Sequence, residues 1–107
     1  MSLPFTALAD PTRRRILDLL RRRPHLVGEV AGELGLSQPA ASKHLRVLRE
    51  AGLVRVRREA QRRWYGIDPA PLAELDAWLS PYRRMWQESL DALERHLDEG
   101  RGTEEEP

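Results

Sequence analysis

The chain contains no cysteine, which excludes disulfide bonds, thiolate metal sites and cysteine nucleophiles together. It also lacks any run approaching the ~20 apolar residues that a membrane-spanning helix needs. Its opening, MSLPFTALADPTRRR, has no apolar core of the kind that marks a secretory signal. No membrane partner and a cytoplasmic location are therefore expected. There is no Gly-x-Ser-x-Gly, no His-Glu-x-x-His and no phosphate-cradling glycine loop, and the three histidines fall in separate segments. A small hydrolase or lyase thus has nothing beyond the mere presence of Asp, Glu and His to support it, and no enzyme is expected. Lysine is almost missing as well, since 17 of the 18 basic residues are arginine.

What is present is one small domain's worth of chain, 107 residues, of which 33% are charged. The net charge of +1 conceals a segregation. Residues 1–66 carry 14 basic and 6 acidic side chains, a balance of +8, whereas residues 67–107 carry 4 basic and 11 acidic, a balance of −7. A basic half facing a polyanion, with phosphate as the commonest case, accounts for such an asymmetry, although charge also serves plain solubility.

Asp10-Pro11 reads as a helix start, because the carboxylate can cap free N–H groups and proline tolerates the first helical position. That helix should end by Pro24 and bury Ile16, Leu17, Leu19 and Leu20. The preceding Leu3, Phe5 and Leu8 form a short apolar helix or turn that must pack on something. In the next stretch Val27, Val30, Ala31 and Leu34 follow helical spacing, Gly35 permits a left-handed stop, and Leu36 plugs a turn. Ser37 caps a second helix in which Ala41, Leu45 and Leu48 face inward before Gly52 ends it. Two short helices joined by a glycine-containing turn make a helix-turn-helix. Leu53, Val54 and Val56 then alternate partly with Arg55 and Arg57, and Trp64, Tyr65 and Ile67 follow a polar EAQR stretch. The change to a two-residue period predicts a β-hairpin, with Trp64 and Tyr65 on opposite faces and only one of them in the core. Beyond Asp68, one helix to about Leu79 and another starting at Ser80-Pro81 are expected, because proline is costly inside a helix. The last helix carries a seam of Tyr82, Trp86, Leu90, Leu93 and Leu97. The fold class is therefore mainly α with a small β-hairpin, a winged helix-turn-helix over residues 1–98, followed by a disordered acidic tail over 99–107.

The stretches ALADPTRRRILDLL, LSQPAASKHLRVLREAGLVRVRRE and RRWYGID together resemble the ArsR family of bacterial winged-helix transcriptional repressors, over roughly residues 3–98. The resemblance implies a homodimer that binds double-stranded DNA at an imperfect inverted repeat in its own promoter. Metal-sensing members place cysteines where this chain has Val27-Gly28-Glu29-Val30-Ala31. A second family site matches His96-Leu97-Asp98-Glu99, but its other half falls on Arg83 and Met85, which cannot supply it. The sequence thus resembles the cysteine-free members, with no metal site and no cofactor expected.

In a winged helix the second helix of the turn enters the major groove. The residues placed there are Gln38, Pro39, Ser42 and Lys43, with Ser37 as helix cap and phosphate donor and His44 and Arg46 as phosphate contacts. Gln38 suits adenine N6 and N7, Lys43 suits guanine O6 or N7, and Pro39 a thymine methyl. Wing residues Arg57, Arg58, Arg62 and Arg63 suit phosphate contact or minor-groove insertion. Dimerisation is expected through Leu3, Phe5 and Leu8 with Tyr82, Trp86, Leu90, Leu93 and Leu97. A protein-interaction module that keeps the shape without binding DNA is the alternative, and it would present a neutral reading helix. The operator, the regulated gene and any small-molecule effector are not encoded in a readable way, and the aromatic residues suffice for ordinary packing.

Overall fold

The computed structural model describes the backbone of residues 2–105 and the side chains of residues 4–100. Seven elements follow in order: α1 (Ser2–Leu8), α2 (Pro11–Arg22), α3 (Val27–Leu34), α4 (Gln38–Glu50), β1 (Val54–Glu59), β2 (Arg62–Ile67) and α5 (Ala70–Glu105). The chain divides into two compact units, one running through Glu74 and the other starting at Leu75. Among the described residues no helix is long and apolar enough to cross a membrane.

In the first unit α2 begins where Asp10 accepts hydrogen bonds from the N–H groups of Thr12 (2.7 Å) and Arg13 (3.2 Å), with Pro11 as the first helical residue. One face of α2 buries Ile16, Leu17 and Leu20; Leu19, expected in the core, lies at its edge and is only partly covered. Val30 and Ala31 of α3, Ala41, Leu45 and Leu48 of α4, and then Leu53 and Val54 complete the core, with Ala7 of α1 added to it. Leu45 and Leu48 are fully buried, so truncating either to alanine should cost roughly 2–5 kcal/mol.

The two strands pair antiparallel, Val54 opposite Ile67 through Glu59 opposite Arg62, which leaves Ala60 and Gln61 as a two-residue tip. Ala60 adopts φ +57°, a left-handed conformation that glycine would occupy with less strain. The register settles the two aromatic side chains: Tyr65 packs against the core, and Trp64, opposite Arg57, lies on the outer face. Not foreseen is a third strand-like segment, in which His25 exchanges backbone hydrogen bonds with Tyr65 (2.9 and 2.8 Å) and its buried imidazole Nδ1 sits 2.7 Å from the Arg23 carbonyl oxygen.

The C-terminal expectation needs correction, since α5 is one helix of 36 residues with Pro81 inside it, not two helices divided there. Two interactions span the proline. Trp78 and Tyr82, one turn apart, bring their ring centroids to 4.7 Å, and the Arg83 guanidinium pairs with the Asp76 carboxylate while its second nitrogen approaches the Asp76 carbonyl oxygen. The backbone of α5 runs to Glu105.

Candidate nucleic-acid interface

The turn and α4 form one local device. Gly35 takes φ +66° and ends α3, the Leu36 N–H donates to the Ala31 carbonyl (2.9 Å), and the Leu36 side chain packs on the core. The Ser37 hydroxyl then accepts from the Ala40 N–H at 3.2 Å and starts α4. Because Ala41, Leu45 and Leu48 are locked inside, the helical period turns Gln38, Pro39, Ser42, Lys43 and Arg46 outward, and all five are exposed, as is Ser37. These residues offer amide, hydroxyl, ammonium and guanidinium donors, and the one carboxylate on this face, Glu50, lies exposed at the far end of the helix. The helix stops at Gly52, φ +79°, with the Leu53 N–H donating to the Leu48 carbonyl at 2.9 Å.

His44 differs from its neighbours on α4. It is only partly exposed, and its Nδ1 is buried with no hydrogen-bond partner among the described residues. It lies near enough to Asp10 to add a small attraction to that carboxylate. Asp10 is held below the usual carboxylate range chiefly by the Arg13 N–H hydrogen bond, then by that of Thr12. Glu29 is lowered in the same way, chiefly by the Leu26 N–H, which donates to it at 2.9 Å at the start of α3.

On the wing Arg57, Arg58, Arg62 and Arg63 are all exposed. They divide between its faces: Arg58 and Arg63 stand directly opposite each other, a like-charge pair that disfavours the hairpin unless an anion lies between or beside them, while Arg57 forms an exposed ion pair with Glu59 at 3.5 Å. Not every basic residue serves this surface. Arg13 donates to the Ala7 carbonyl (2.7 Å) and the Thr6 carbonyl (3.2 Å), and Arg14 to the Leu8 carbonyl (2.8 Å), so both close the C-terminal end of α1. Sequence reasoning missed that use, because a run of arginines gives no hint of which carbonyls it will meet.

Of the expected dimer residues, Phe5 is 40% exposed on α1, whereas Leu8 packs partly against the core of its own chain and the Leu3 side chain lies outside the described residues. Tyr82, Trp86, Leu90, Leu93 and Leu97 recur at four- and three-residue steps along α5 and are exposed, Trp86 to 66%. Trp78, Leu79 and Met85 are exposed on the same helix and were not singled out from the sequence. Among the described residues no group of three or more His, Asp or Glu side chains is arranged to hold a metal ion.

Residues 10–56 match the family described as bacterial regulatory protein, arsR family. Over 94 residues the chain is 44% identical to the HTH-type transcriptional regulator Rv2034 of Mycobacterium tuberculosis, covering 88% of this chain and 85% of that protein. The chain belongs to the ArsR family. It is also 34% identical to the transcriptional repressor SdpR of Bacillus subtilis, over 74% of this chain and 88% of that one. Among solved structures it is similar to the homodimeric winged helix-turn-helix DNA-binding domain of Mb0332 from Mycobacterium bovis, a possible ArsR-family transcriptional regulator. The two share a TM-score of 0.64 and 34% identity across 78% of this chain and 77% of that one. In ArsR-family terms α3 and α4 are the helix-turn-helix of this chain, and the β1–β2 hairpin is its wing.

Proposed function

We propose that this ArsR-family chain is a dimeric repressor that binds an inverted-repeat operator in double-stranded DNA, with no catalytic role, acting in the cytoplasm. The observation that carries the reading is the outer face of α4, where Gln38, Pro39, Ser42, Lys43 and Arg46 are exposed together without an acid among them. A helix of this shape fits the major groove, where Gln38 would take an adenine edge and Lys43 a guanine edge. Ser37, His44 and Arg46 would meet phosphates, and Arg57, Arg58, Arg62 and Arg63 would carry the wing along the backbone or into the minor groove. Dimerisation would use Phe5, Leu8 and the exposed apolar positions of α5 from Tyr82 to Leu97. An exposed Trp, Tyr, Met and several Leu on one helix is the kind of surface a monomer in water rarely keeps open. Residues 1–98 would thus suffice for both activities, with the acidic stretch 99–107 outside them.

Fluorescence anisotropy with the DNA upstream of the gene, against a scrambled duplex, tests this across a salt series. Tighter binding to the upstream DNA, with affinity falling steeply as salt rises, supports the reading. Equal affinity for both duplexes, or no binding at low salt, overturns it.

A further inference from the structure

The outer face of the wing is not flat. Beside it runs a groove of about 760 Å³, bounded on one side by the end of α2 and Pro24 and on the other by the β1–β2 hairpin. Its volume falls within the roughly 300–1,000 Å³ of ordinary small-molecule sites. The apolar part of its wall comes from Pro24, Val56, Trp64, Ile67 and Pro69. The polar part is of one sign: Arg21, Arg22, Arg23, Arg55 and Arg57 line it, and no acidic side chain does.

Two of those arginines have acidic partners elsewhere, Arg23 with Glu29 at 3.4 Å and Arg57 with Glu59 at 3.5 Å. Arg21, Arg22 and Arg55 have no carboxylate within ion-pair distance among the described residues. Gly66 lines the floor, and a Cβ added there would lie 3.7 Å from Pro24 Cγ, an ordinary contact, so a side chain at this position enters the groove without a clash at its first carbon. Gly66 needs no unusual backbone, as its φ is not positive. An indole, two proline rings and guanidinium planes all favour a flat body, and a cluster of unpaired arginines favours a carboxylate on it.

We propose that this groove is a binding site for a small aromatic carboxylate, its ring set against Trp64 and the prolines and its charge held by Arg55 with Arg21 or Arg22. The site is built from different surfaces than the outer face of α4 and stands whether or not the chain binds DNA. Nuclear magnetic resonance of the amide and indole N–H groups, with 2-naphthoate as the probe, tests it. Saturable shifts at the Trp64 indole, Gly66, Arg55 and Arg22, at a stoichiometry of one per chain, are expected. Inorganic phosphate, which has the charge but no ring, and 2-naphthol, which has the ring but no carboxylate, should each bind at least tenfold more weakly. Gly66→Val should abolish the shifts while leaving the rest of the spectrum in place. Should that variant not fold, Arg55→Gln serves instead, and it should weaken 2-naphthoate at least tenfold. Shifts that do not saturate, that fall mainly on α5, that phosphate reproduces, or that survive both substitutions overturn the proposal.

Discussion

Gln38 stands at the first position of α4, exposed, with a side chain able to donate and accept at once. In the proposed complex it reads a base, so Gln38→Ala should cost roughly 1–3 kcal/mol on the cognate operator and little on unrelated DNA. Arg62 offers charge at the wing tip without such geometry. Arg62→Ala should weaken both duplexes alike and reduce the salt slope by about one counterion. Binding isotherms on operator and scrambled DNA separate the two roles, and an equal loss on both duplexes for Gln38→Ala would contradict its placement at the bases. Asp10 supports a different prediction. Its carboxylate is held low by backbone hydrogen bonds that only the ionised form accepts well, so its contribution is complete above the ordinary carboxylate range and fades as pH falls through its lowered folded value. Asp10→Ala should therefore lower the melting temperature at neutral pH, and the gap from the parent should narrow below about pH 4. Asp10→Asn, which keeps a capping oxygen but not the charge, should fall between the two at neutral pH and show no such pH dependence; thermal melts of the three proteins across pH check this.

At the level of elements, the helices with capping residues and a single buried stripe were readable. Asp10-Pro11, Gly35, Ser37 and Gly52 mark ends that the backbone confirms, and Ala41, Leu45 and Leu48 mark the inner face of α4, from which its outer face follows. Three features were not readable. α5 runs through Pro81 against a strong local signal, and the contacts that bridge it, Trp78 with Tyr82 and Asp76 with Arg83, leave no trace in the local pattern. The pairing of His25 with Tyr65 is a single backbone bridge and leaves no periodic trace. The groove at Trp64 joins segments some forty residues apart in sequence, so no local pattern announces it. The hairpin tip does fall within the polar EAQR stretch, at Ala60 and Gln61, although Ala60 occupies a left-handed position without glycine or asparagine. Ala60→Gly should raise the unfolding midpoint, by up to about 1 kcal/mol once glycine's greater unfolded-state freedom is subtracted, and leave operator affinity unchanged. A fall in stability would show that the tip is not strained. For α5, replacing Leu90 and Leu93 together with glutamate should convert a dimer to monomers that bind operator weakly, as read by light scattering at micromolar concentration. An unmodified protein that is already monomeric there would contradict the assigned interface.

For the molecule as a whole, the segregation of charge along the chain acquires a structural meaning. The basic half supplies the exposed face of α4 and the wing, after Arg13 and Arg14 are set aside for closing α1. Zinc is not the proposed signal, because the sequence has no cysteine and carries Arg83 and Met85 where the other half of a site containing His96 would fall. Adding zinc should therefore release no DNA, and calorimetry finding a stoichiometric zinc site dependent on His96 would reverse that reading. The central claim is that two copies of α4 read two copies of one short sequence. Hydroxyl-radical footprinting of the upstream DNA tests it most directly. The account predicts two protected half-sites related by a dyad, their centres about 34 Å or one helical turn apart. Protection that spreads without sequence preference, or a single half-site with no symmetric mate, would contradict it.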